Sequence, residues 1–173
     1  MKRADIKVLP PHYDTYINKV ADIEVTEALQ KFGSPVILAE RERLYALGYK
    51  VYAPGKWTVR DVLQHIIDCE RVFAYRALRF ARNDNAILHP FNENEYAVKA
   101  NAIQRNMDDL LEEFYSVRAS TVAMYKSFNN EMLLREGQVG NNTISVLAIG
   151  FAIAGHMNHH MAILKEKYYP LLR

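Results

Sequence analysis

The chain has 173 residues, 50% of them hydrophobic and 24% charged, with a net charge of +2. That is ordinary globular composition, long enough for a real core, and it reads as one domain over residues 1–173. It excludes several classes: no basic block supports nucleic-acid binding, no apolar run is long enough to span a bilayer, no signal peptide opens the chain, and Cys69, alone, allows no intrachain disulfide. A soluble cytoplasmic protein is expected.

Residues 1–13 contain Pro10-Pro11 and read as an extended arm. A helix is predicted over about 14–32, ended by Gly33. Ser34 and Pro35 then open a helix that runs to about Leu47, where Gly48 stops it. Thr58 caps a long helix reaching about Arg82. Residues 84–96 read as a loop across the open end of the structure. A further long helix covers about 102–128, residues 129–141 form a connection, and the last helix covers about 143–168. No segment alternates convincingly enough to be a strand. The reading is all-α, a four-helix bundle without a sheet.

The last helix carries Gly155-His156-Met157-Asn158-His159-His160, three of the chain's six histidines. At 100° per residue His156 and His160 share a direction, one turn apart, at the edge of the apolar face. A helix presents two imidazoles to one metal ion in this way; a surface turn with satisfied core histidines has the same pattern. His159 lies about 60° to the other side, with Lys165 and Glu166. On the helix after Thr58, His65 occupies the seam beside the stripe Val59, Val62, Ile66, Phe73, Ala77 and Phe80. Gln64 falls on the solvent side. Inside a bundle the three seam histidines could converge and leave open positions on an ion.

Asp61 and Asp68 flank His65 by about one turn each. Either could orient an imidazole, and Asp68 could instead ligate a metal directly or act as a base; both also suit a solvated helix face. Cys69, also near this face, could be a fourth, thiolate ligand or simple packing, and with His89 (another fourth-ligand candidate) and Tyr96, in the 84–96 loop, it is a candidate pocket wall. Glu70 and Arg118 each place a charge on an apolar face. Isolated buried charges are costly, so they are read as a buried structural pair.

Gly55-Lys56-Trp57-Thr58, His65-Ile66-Ile67-Asp68-Cys69-Glu70-Arg71, the following Arg76, and Gly155-His156 with His160 resemble the DinB/YfiT-like superfamily. The matching segments span about residues 49–168. The resemblance implies a four-helix bundle and one divalent metal, nickel or zinc, on three histidines: here His65, His156 and His160. It also implies a metal-dependent hydrolase acting on a small substrate. Two alternatives stand beside that: a transferase using a low-molecular-weight thiol, and a non-catalytic stress-response binding module stiffened by its metal. The abundant Tyr and Phe permit a homodimer through a helix face.

Overall fold

The structure, a computed structural model, describes all 173 residues. Its helices in chain order are α1 (Asp14–Ile17), α2 (Val25–Lys31), α3 (Ser34–Leu47), α4 (Val59–Ala81), α5 (Glu93–Ala100), α6 (Met107–Lys126), α7 (Asn130–Leu134) and α8 (Val146–Ile163). Four long ones, α3, α4, α6 and α8, carry the bundle. Their starts are written locally. The Asp61 carboxylate accepts the Thr58 N–H at 2.8 Å and the Asp61 N–H donates back to the Thr58 hydroxyl, a reciprocal cap for α4. Asn106 and Ser145 accept N–H bonds at the first turns of α6 and α8. Pro35 occupies the first turn of α3, and Gly48 ends it at φ 56°, where a side chain would be strained.

The structure differs from the sequence reading between these helices. The helix expected over 14–32 breaks after Ile17 and restarts at Val25. The intervening residues instead hold the N-terminal stretch: Ala4 N–H donates to Asp22, Val25 N–H donates to the Met1 carbonyl, and Lys2 bridges Glu24. The loop expected over 84–96 ends early, because Asn92 caps α5 and places Tyr96 on a helix. The 102–128 helix begins as a 3-10 turn, Ala102–Gln104, and restarts behind Asn106.

The expected absence of a sheet is overturned. Strands β1 (Glu136–Val139) and β2 (Asn142–Ser145) form an antiparallel hairpin, so Thr143 is in a strand and α8 starts only at Val146. Gly140 turns the hairpin at φ 57°. Gly137 lets β1 lie flat on Phe80, since a Cβ there would stand 2.1 Å from the ring. At its other end α8 widens to a π-helical stretch, Leu164–Tyr168, and then tightens to a 3-10 turn, Tyr169–Leu172.

The core is divided. One apolar cluster takes Phe73, Ala77 and Phe80 from α4, the 146–154 part of α8, and Tyr125 from α6. The other takes Val59 to Ile67 of α4, Met157 and Met161 of α8 with Leu164 just beyond it, and Met107 to Phe114 of α6. Read along the chain, α4 and α6 pass from the second cluster to the first and α8 returns, so α8 runs opposite to both. At the level where the clusters meet lie His65, Glu70, Arg118 and His156, all buried.

Arg118, 2% exposed, is fully employed at that level. It donates to both Glu70 oxygens, with Nη2 to Oε2 at 2.8 Å, and its Nη1 donates to the Leu29 carbonyl at 2.9 Å and to that of Phe32. The guanidinium thus also satisfies carbonyls left free at the end of α2. Gly33 is required beside it, because a Cβ would stand 2.7 Å from Nη1. Glu70→Ala or Arg118→Ala is expected to cost about 3–5 kcal/mol by leaving a buried charge alone, with the double variant milder than the sum. Urea unfolding of the three variants checks this; parent-like midpoints for both single variants would refute it.

Candidate metal centre

Three imidazoles from two helices meet edge to edge. His65 comes from α4, and His156 and His160 from successive turns of α8. His156 Nε2 stands 3.0 Å from His65 Nε2 and 3.1 Å from His160 Nε2. All three residues are buried, whereas His159 is partly exposed and packs edge-on to Tyr16.

The donor set suits a divalent ion. Nitrogens each about 2.0–2.1 Å from one ion stand about 2.9–3.3 Å apart for angles between square and tetrahedral. Metal-binding imidazoles must be neutral, and burial holds these so. His65 is pushed down to about 4, chiefly by burial, and His160 to about 3 by burial and then His65. His156 lies well below the ordinary range through burial, with His160 and His65 adding to it. Cys69 belongs to the same cluster: its sulfur is 3.5 Å from His65 Nδ1, and the ligand atoms of His65, Cys69 and His156 lie within 4.8 Å of one another. Burial pushes its thiol up, so without an ion it stays protonated.

The two aspartates are committed elsewhere. Asp61 is the α4 cap, and its hydrogen bonds go to Thr58 rather than to an imidazole. Asp68 accepts from Gln64 at 2.9 Å, and Gln64 accepts from Arg105 at 2.5 Å. Gln64 is therefore buried, contrary to its expected solvent position, because the chain before α6 covers it. His89 is exposed and gives the site only its backbone, whose carbonyl accepts from Arg76 at 3.0 Å. Tyr96, 47% exposed, meets Phe91 edge-on and, with His89, borders a further surface cavity that Arg76 and Phe91 also line.

Other neighbours were not singled out as site residues from the sequence. Tyr16 of α1 meets His156 edge-on at 5.1 Å. Gly155 makes this possible: a Cβ there would lie 2.0 Å from the Tyr16 carbonyl oxygen, so only glycine admits the α1 backbone this close to α8. A glycine directly before a seam histidine was the available signal. Trp57 tilts over His65 at 4.9 Å. Two cavities lie near the cluster. One, of about 520 Å³, is walled by Tyr16, Phe73, Arg76, Phe91 and Glu93, and Tyr16 and Phe73 separate it from His156; the other, of about 300 Å³, is walled by Trp57, Lys56, Asn94, Tyr168 and His160 itself. Glu93 and Asn94, in the first turn of α5, thus each reach one of the two cavities.

The DinB superfamily profile matches residues 44–164. Among solved structures, YfiT from Bacillus subtilis aligns with a TM-score of 0.71 at 16% identity, covering 92% of this chain and 87% of that one. It is described as "a probable metal-dependent hydrolase with an unusual four-helix bundle topology". No curated protein matches the sequence. No helix is long and apolar enough to cross a membrane.

Two outcomes follow from this geometry. Gly155→Ala, although it favours helix locally, should destabilise by about 1–3 kcal/mol because the Tyr16 backbone must move; an unchanged or raised Tm would contradict the close approach. Metal-stripped protein should lose stability as pH falls from about 6.5 to about 4. Above that window the His65 imidazole is neutral in both states; within it the unfolded chain takes up a proton that the folded one refuses, which amounts to about 3 kcal/mol for His65 alone. Chemical denaturation across that range, compared with His65→Gln, measures it; equal slopes in the two proteins would refute it.

Proposed function

This chain belongs to the DinB superfamily, and from that premise we propose that it is a metal-dependent hydrolase of a small molecule, with His65, His156 and His160 holding one divalent ion, zinc or nickel. The observation that carries the reading is the set of three imidazoles kept neutral by burial, with His156 Nε2 at 3.0 and 3.1 Å from those of His65 and His160, and with a cavity that reaches His160. Zinc and nickel both accept imidazole ligands. Such an ion supplies Lewis acidity and makes water a usable nucleophile near neutral pH.

The protein's own groups have separable tasks. Trp57, Tyr16 and Phe73 pack around the imidazoles and shield them from bulk water. Cys69 lies beside His65 Nδ1, with its sulfur close enough to the ligand atoms of His65 and His156 to join them. Glu93 is the carboxylate on the wall of the larger cavity and takes the proton-accepting role in place of Asp68, whose side chain is bonded to Gln64. The cavity that reaches His160 also favours an enzyme over a binding module, since a purely stiffening metal needs no access. The second cavity, reaching His160, gives the thiol-transferase reading specific support: it is room for a co-substrate beside that imidazole. The cytoplasm, where such thiols are kept reduced, remains the proposed compartment, and one domain over residues 1–173 the proposed organisation.

Elemental analysis of the protein as isolated should find close to one equivalent of zinc or nickel. His65→Ala, His156→Ala and His160→Ala should each lose most of it, and His159→Ala should not. A paired screen of ester or amide hydrolysis and of thiol transfer should give activity that chelation removes and the same metal restores. Full occupancy in His65→Ala would end the three-histidine assignment, and activity indifferent to chelation would end the metal-dependent one.

A further inference from the structure

Two arginines are buried in this bundle, and only one has a carboxylate. Arg118 is held by Glu70. Arg76, 4% exposed, forms no ion pair. Its guanidinium gives one N–H to the Tyr13 hydroxyl at 3.2 Å and one to the His89 carbonyl at 3.0 Å, leaving three of its five donors without a protein acceptor. The rings of Phe73 and Phe91 lie 5.8 and 5.5 Å from its central carbon. Neutral acceptors and ring faces steady a cation without neutralising it, and a buried cation lacking a counter-ion is costly.

The position of Arg76 gives this meaning. It follows His65 by eleven residues, about three helical turns, and so projects from the same face of α4. It lines the larger cavity, in which Phe73 stands between it and the imidazoles, with its ring 6.1 Å from that of His156. Glu93 is the one carboxylate on that cavity's wall, and it does not pair with Arg76 although both line the same space.

We propose that Arg76 anchors an anionic group, a carboxylate or a phosphate, of a ligand whose apolar body lies against Phe73, Phe91 and Tyr16. A guanidinium fork with free donors suits either anion through paired hydrogen bonds. The ligand completes the ion pair that the fold omits. That this ligand is the substrate rests on the hydrolase reading; the anchoring needs only the cavity. The competing role for Arg76 is structural, bracing the loop before α5 through the His89 carbonyl.

The test uses three probes of similar shape: phenylacetate, phenyl phosphate and the neutral phenylacetamide. Binding is followed by calorimetry and by the fluorescence of Trp57, the chain's single tryptophan, on metal-loaded and metal-stripped protein of measured metal content. In the parent, one of the two anions should bind at least about thirtyfold more tightly than the amide, and which one identifies the carboxylate or phosphate source. Arg76→Gln should abolish that preference and Arg76→Lys should reduce it, with amide binding and metal content unchanged. The preference should survive metal removal, which separates this proposal from the metal assignment. Equal binding of amide and anions by the parent would overturn it without any variant. So would undiminished anion binding in Arg76→Gln, or a preference that disappears with the metal while Arg76 is intact.

Discussion

A guanidinium as buried as that of Arg118 persists only where a carboxylate and carbonyls take up its donors, and meeting that demand fixes the middle of this bundle. Glu70 supplies the carboxylate from α4, Leu29 and Phe32 supply carbonyls from the end of α2, and Arg118 itself comes from α6. Three helices are thereby set to one level. The two apolar clusters stop on either side of it. Because Glu70 is five residues from His65, the same clamp fixes the height at which that imidazole enters.

The histidine cluster is the second polar feature at this level, and it is resolved differently. The arginine is satisfied by protein groups. The imidazoles are satisfied chiefly by one another, a poor arrangement for hydrogen bonding but a suitable one for ligation. Burial keeps them neutral, which removes mutual repulsion and leaves lone pairs free. α8 contributes by register, placing His156 and His160 one turn apart, and by Gly155, which draws α1 in until Tyr16 closes one side. Arg76 is the third buried polar group, with two neutral acceptors and no carboxylate. Its environment resembles that of a binding residue more than that of a structural one.

The cavities owe their shape to short pieces rather than to the long helices. The break between α1 and α2 sends Tyr13 and Tyr16 toward α4 and α8. The N-terminus of α5 lays Glu93 and Asn94 at the mouths of the two cavities. The hairpin holds the preceding loop from below, through reciprocal bonds between Leu88 and residues Gln138 and Gly140. A scaffold of four helices with variable short connections lets one metal-binding arrangement face different substrates.

Several features were legible in the sequence. Periodicity and caps marked α3, α4, most of α6 and most of α8, because amphipathic spacing and Thr58, Pro35 and Gly48 act within a few residues. Wheel geometry alone separated His156 and His160 from His159, and it put Glu70 and Arg118 on apolar faces. Tertiary structure decided the rest. It broke the first helix, since only the folded protein brings Met1 to Ala4 against Asp22 to Val25. It paired the hairpin, whose four-residue strands are too short to show alternation and gain their stability from Phe80 beneath Gly137. It buried Gln64 under Arg105, and it committed Asp61 and Asp68 to partners a wheel cannot display. It also left Arg76 without a carboxylate, a fact that no spacing encodes, because a missing partner is visible only once every neighbour is in place.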